Sequence, residues 1–120
     1  MKFKLTINDT EYVADMIDSE LVEQLAELCP FEANYKSYQQ HEYFTKLPGE
    51  LNDEGCQLTT KAVKNKLYFF KKWNSFAITY DDANISPNSL VHIGDFEEDV
   101  SEFLNKGTRN IHVLCEVDSS

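Results

Sequence analysis

Alternation with a period of two, recurring in short stretches along the whole chain, is the feature that most restricts its fold. In KFKLTI (2–7), Phe3, Leu5 and Ile7 alternate with Lys2, Lys4 and Thr6, as in a strand with one buried and one solvated face. Ile111, Val113, Cys115 and Val117 alternate in the same way with Asn110, His112, Leu114 and Glu116. The turn formers of NDT (8–10) separate the first strand from EYVADMI, so a hairpin opens the chain. Residues 31–47 show no helical stripe but carry Phe31, Tyr35, Tyr38, Tyr43, Phe44 and Thr45, which suit a pleated surface. They predict two strands with a bend near Gln39-Gln40.

CQLTTKAV (56–63), KLYFF (66–70), SFAITY (75–80) and LVHI (90–93) read as further strands, with tight turns at Lys64-Asn65 and at KKWN (71–74). PGELNDEG (48–55) and DDANISPNS (81–89) are loops of turn formers. Two helices interrupt this pattern. Asp18 or Ser19 caps the first, Glu20 and Glu23 sit in its first turn, and Leu21, Leu25 and Leu28 form its stripe with Val22 and Ala26 beside them. Cys29-Pro30 stops it. The second is predicted to start after Gly94, with Asp95 as cap and Glu98 three residues on in a capping box. Phe96, Val100, Phe103 and Leu104 make its stripe, and Lys106-Gly107 closes it.

Many short strands leave edges that must be paired or covered. The pattern therefore predicts a mainly β domain spanning residues 1–120, a closed or nearly closed barrel capped by two α-helices. At 120 residues, 42% hydrophobic and 27% charged, the chain suits one core without staples. Cys29, Cys56 and Cys115 are odd in number and widely spaced, which predicts reduced thiols and no metal site.

The formal charge is −10, a surface that repels phosphate backbones and argues against nucleic acid as a partner. Lys61, Lys64, Lys66, Lys71 and Lys72 form a local exception, read as edge-protecting and solvated lysines. No apolar run approaches a membrane span, and the charged N-terminal stretch is unlike a signal peptide. The expected location is the cytoplasm. The 4 glycines form no phosphate-cradling loop. Ser75 and Ser89 lack the setting of a hydrolase nucleophile, the acids lack calcium-loop spacing, and no cofactor is implied.

The stretch HEYFTKLPGEL (41–51) draws attention to His41, Glu42 and Tyr43. As strand neighbours they cannot form one cluster: His41, Tyr43 and Thr45 share one face, Glu42 and Phe44 the other. His41 titrates in a useful range but reads first as barrel wall. Trp73, in a turn, is either a recognition platform or a lid over one barrel end. His92, within an apolar strand, reads first as structural, and His112 as surface.

The ordered set of opening hairpin and helix, then HEYFTKLP, LYFFKKWNSFAITY and LVHIGDFEEDVSEFL, resembles the bacterial cyclophilin-like domain family, small single-domain proteins with the cyclophilin β-barrel and no settled function. The resemblance covers nearly the whole chain and implies that fold. True cyclophilins are similar in fold only. Their strand after the first helix carries a Phe-His-Arg motif whose arginine is thought to hydrogen-bond the proline nitrogen.

The matching stretch here, NYKSYQQHEYF, has no arginine, and the chain's only arginine is Arg109. Twisting an X–Pro bond meets a barrier of about 18–20 kcal/mol, and loss of one preorganised donor typically costs about 100- to 1000-fold. Lys36 or Lys46 could replace the charge but not the rigid fork. The leading expectation is accordingly a binding module with a shallow aromatic groove lined by some of His41, Tyr43, Trp73, Tyr80 and His92. Its ligand would be a peptide, another protein or a small molecule. The alternatives are a divergent peptidyl-prolyl isomerase using another donor, and an acidic interaction subunit that meets a basic partner.

Overall fold

The computed structural model describes residues 1–104 and 110–118. Eight strands close into an antiparallel barrel: β1 (Lys2–Ile7), β2 (Thr10–Met16), β3 (Phe31–Tyr38), β4 (Glu42–Lys46), β6 (Lys66–Phe70), β7 (Ser75–Thr79), β9 (Val91–Phe96) and β10 (Asn110–Asp118). Their order around the barrel is β1, β10, β3, β4, β7, β6, β9, β2. The remaining two, β5 (Lys61–Ala62) and β8 (Ala83–Asn84), pair with each other as a separate two-stranded sheet.

Closure follows from the alternation. Phe3, Leu5 and Ile7 of β1 are fully buried and stand opposite Val117, Cys115 and Val113 of β10, so one face of each strand builds the interior. Tyr35, Leu67, Phe69, Phe76, Ile78 and Ile93 fill the rest of it. The opening hairpin turns at Asn8 and Asp9, with φ of 46° and 75°, a conformation that asparagine and aspartate tolerate better than other non-glycine residues. Gln39 and Gln40, also at positive φ, make the β3–β4 bend.

Helix α1 (Glu20–Leu28) begins where Ser19 accepts a hydrogen bond from the Val22 amide at 3.2 Å, and ends at Cys29. Leu21, Val22 and Leu25 join the barrel core. Helix α2 (Ser101–Leu104) is a single turn started by Asp99, which accepts from the Ser101 amide at 2.9 Å. Val100 and Leu104 reach the same core, and the Tyr43 hydroxyl donates to the Leu104 carbonyl at 3.1 Å. Among the described residues no helix is long and apolar enough to cross a membrane.

Three local expectations are corrected. The helix predicted from Asp95 does not start there: β9 runs on to Phe96, because Gly94, Asp95 and Phe96 are paired with Met16, Asp15 and Ala14 of β2. Ladder pairing with β2, and with β6 at Gly94 and Asp95, overrides the capping-box signal. The proposed end of that helix at Lys106-Gly107, like Arg109, lies outside the described residues. CQLTTKAV is not a barrel strand: only Lys61 and Ala62 form β5, while Thr59 bridges Leu90. Its hairpin with KLYFF is absent, since β6 pairs with β7 and β9.

Candidate functional site

The outer face of the barrel carries the candidate site, and strand alternation decides which side chains reach it. On β4, Tyr43 points inward, so Glu42 and Phe44 point out; on β7, Phe76 and Ile78 point inward, so Ser75, Ala77 and Thr79 point out. The ladder sets Glu42 directly opposite both Tyr38 of β3 and Thr79 of β7, and Phe44 opposite Ala77. Tyr68 pairs with Ala77, which continues the outer surface onto β6. A second layer covers part of this surface: Ala62, Ala83, Ile85 and Leu90 pack over Tyr68 and Ala77.

After β6 the chain makes a single 3-10 turn, Lys71–Trp73, and Asn74 closes it in the left-handed conformation with φ of 47°. The Asn74 side chain donates to the Gly49 carbonyl at 2.8 Å and accepts from the Leu51 amide at 3.2 Å. These bonds fasten the 47–51 loop to the turn and hold Trp73 over the outer face. Its indole lies 5.0 Å from the Phe70 ring and 5.3 Å from the Tyr38 ring, both edge-to-face, and 5.6 Å from Phe44 at a tilt. Offset and edge-on pairs of this kind are the favoured aromatic geometries.

Between this cluster and residues 84–90 lies a depression of about 220 Å³, lined by Tyr38, Glu42, Phe70 and Trp73 on one side and Ile85, Asn88 and Leu90 on the other. Glu42 is only 8% exposed. Its Oε1 stands 2.9 Å from His41 Nε2, in an approach not aligned as a hydrogen bond. The other ring nitrogen, Nδ1, faces the Gln39 carbonyl at 3.4 Å. The Glu42 carboxylate beside it raises the His41 imidazole above its ordinary pKa; burial works in the opposite direction and is outweighed. Thr79, opposite Glu42, keeps a buried hydroxyl without a partner among the described residues. A larger hollow of about 750 Å³ lies beyond Trp73, but its charged lining consists of Lys46, Glu50, Lys71 and Lys72, and no buried carboxylate enters it.

The structure divides the five residues singled out from the sequence. Trp73 is 39% exposed and lines the depression, and His41 stands behind Glu42. Tyr43 and Tyr80 are corrected: they are buried inside the barrel, with ring centroids 5.2 Å apart, and cannot line an exterior groove. The Tyr80 hydroxyl lies 3.4 Å from Ser37 Oγ. His92 lies elsewhere on the outer face, with Nε2 2.8 Å from Asp95 Oδ1 and its ring 5.5 Å from Tyr68. It lines a different hollow with Leu58 and Val91.

His41 and Glu42 do meet, although strand neighbours should not. His41 precedes β4 and belongs to the bend, where its amide bonds the Tyr38 carbonyl at 3.2 Å; alternation does not govern it. Tyr38, Glu42 and Phe70 line the depression but are not among the groove candidates read from the sequence, although Glu42 drew attention beside His41. The signal for two of them was period two itself, which puts Glu42 with Phe44 and Phe70 with Tyr68 on the faces opposite the core.

Comparison with known proteins agrees with this architecture. The solution structure of the hypothetical protein AF2241 from Archaeoglobus fulgidus superposes with a TM-score of 0.70, over 97% of this chain and 93% of that one, at 13% identity. That likeness is one of fold. No curated protein matches the chain. The model of the Cyclophilin-like family matches residues 5–116. With a closed eight-stranded barrel behind that match, the chain belongs to the cyclophilin-like family.

Proposed function

We propose that this protein is a binding module whose ligand, a peptide segment or a small molecule, enters the depression between Trp73 and residues 84–90. The observation that carries the reading is the combination of Tyr38, Phe70 and Trp73 with the buried Glu42 carboxylate in one lining. Partly exposed aromatics beside a buried polar group are the usual composition of a recognition pocket. At about 220 Å³ the depression is smaller than the several hundred Å³ of a drug-sized site, so it suits one side chain or one small head group.

A second reading, a divergent prolyl isomerase, draws support from amide donors in the same lining, Gln39, Asn84 and Asn88. Such donors could meet a twisted amide where cyclophilins use arginine. Titration of isotope-labelled protein with a short proline-containing peptide separates the two. Shifts at Tyr38, Phe70 and Trp73 without faster cis–trans exchange support the binding module; accelerated exchange supports the isomerase. The absence of both shifts and exchange would count against peptide binding here.

A further inference from the structure

Resting on the binding reading above, we infer that the group taken by this depression is an organic cation, an ammonium or guanidinium held against Trp73 and Phe70 and paired with Glu42. Three features of the geometry lead to this. Glu42 is a carboxylate almost removed from solvent, and such a group needs a charge partner and hydrogen bonds. Among the described residues the one cation-capable group within ion-pair distance of it, His41, lies at 2.9 Å but out of line for a hydrogen bond. Thr79, directly across the ladder, keeps a buried hydroxyl that has no partner among the described residues and so gives the carboxylate no hydrogen bond.

The aromatic half of the lining points the same way. Trp73, Phe70 and Tyr38 meet edge-to-face, so they offer faces in different directions around one small space. A cation within about 6 Å of an aromatic face is attracted by the ring quadrupole, most strongly by tryptophan. A neutral apolar side chain would use these faces and leave Glu42 dependent on His41 alone. An anion would face the Glu42 carboxylate directly.

His41 and the ligand then compete for one carboxylate. Around the His41 ring stand Glu42, the Gln39 carbonyl, the Tyr38 ring at 6.2 Å and the Asp81 charge. Glu42 and Asp81 both favour the imidazolium. When His41 loses its proton, Glu42 is left with an unsatisfied negative charge, and cation affinity rises. Lys72, at the rim, opposes the ligand, but it is exposed and therefore screened more strongly than a buried carboxylate.

Trp73 is the single tryptophan, so its emission reports on the site directly. The capped tripeptides Gly-Lys-Gly and Gly-norleucine-Gly, together with tetramethylammonium, are titrated into the intact protein and into folded Glu42→Gln and Lys72→Met variants. The lysine peptide should bind about tenfold or more tighter than the norleucine peptide and tighten as pH rises. That preference should vanish in Glu42→Gln and grow in Lys72→Met. Saturation by tetramethylammonium alone assigns the site to free small cations; saturation by the lysine peptide alone assigns it to peptides. Equal binding of the lysine and norleucine peptides overturns the cation assignment and leaves the binding reading in place. Binding of the proline peptide with no response to any cation does the same. Silence toward every probe overturns both.

Discussion

Asn74 donates from its side-chain amide to the Gly49 carbonyl at 2.8 Å, joining two loops 25 residues apart in sequence and fixing the turn that carries Trp73. The same residue has φ of 47°, where most side chains are strained. Asn74→Ala removes both side-chain hydrogen bonds and the tolerance for that conformation, and should cost about 2–3 kcal/mol. Asn74→Gly keeps the backbone freedom and should cost roughly half as much. Urea unfolding of the three proteins checks the order. Equal losses in the two variants would mean that backbone strain contributes little.

Trp73→Ala should separate the outer aromatic cluster from the core. Trp73 is 39% exposed but touches Tyr38, Phe44 and Phe70, and exposed aromatic pairs contribute about 0.5–1.5 kcal/mol each. A loss of about 1.5–3 kcal/mol is expected, since the ring is partly solvated, against about 3–5 kcal/mol for Phe76→Ala in the fully buried interior. The comparison is made by denaturant melts. A Trp73→Ala loss as large as that of Phe76→Ala would make Trp73 a structural residue first and a recognition residue second.

The sequence was most legible where one physical rule acted alone. Phe3, Leu5 and Ile7 alternate, and they are inside; Ser19 was one of two possible caps, and it accepts the Val22 amide. Legibility failed where two rules competed over the same residues. Asp95 and Glu98 match the capping-box pattern, yet Gly94–Phe96 have strand partners on β2, and only the tertiary arrangement shows that these prevail. The site was half legible. Alternation separates Glu42 from Tyr43, but it cannot show that residues 84–90 fold over β6 and β7, and that layer turns an aromatic surface into a depression. His41 was misassigned because the β3–β4 bend consumes one more residue than the pattern suggests.

The His41–Glu42 pair should make stability depend on pH. The folded-state pKa of His41 is raised above its ordinary 6.5 by contact with Glu42. A raised histidine pKa means that the folded state holds the proton more tightly than the unfolded chain does. The stabilisation is then fully present below about pH 6.5 and is lost as pH rises through the folded-state value. The melting temperature of the wild type should fall across that window relative to Glu42→Gln, which removes the charge. Parallel pH profiles of the two proteins would show that the pair carries no linkage.

Gly94 is required by close packing rather than by backbone freedom. A Cβ at this position would lie 2.6 Å from Met16 Sδ and 3.2 Å from the Asp15 carbonyl oxygen. The thioether can swing aside, but the carbonyl belongs to the β2–β9 ladder and cannot move without disturbing it. Gly94→Ala should therefore cost about 1–3 kcal/mol, in the usual range for overpacking. Combining it with Met16→Ala tests the cause: a double variant as destabilised as the sum of the singles would place the strain on the backbone, and partial recovery would place it on Met16.

The three cysteines should react in a definite order. Cys29 Sγ lies 4.0 Å from Cys115 Sγ, and that contact lowers the pKa of the half-buried Cys29 while Cys115, fully enclosed by β1 and β3, is raised well above the ordinary thiol value. Cys56, partly exposed, is raised by burial of its thiol and by Asp53 nearby. Since the thiolate is the reactive form, iodoacetamide at neutral pH should label Cys29 first, Cys56 next and Cys115 only on unfolding. Peptide mass mapping over time reads the order. Cys115→Ala should slow the labelling of Cys29, because the neighbour that stabilises its thiolate is gone; unchanged labelling would mean that exposure, not the thiol pair, sets its reactivity.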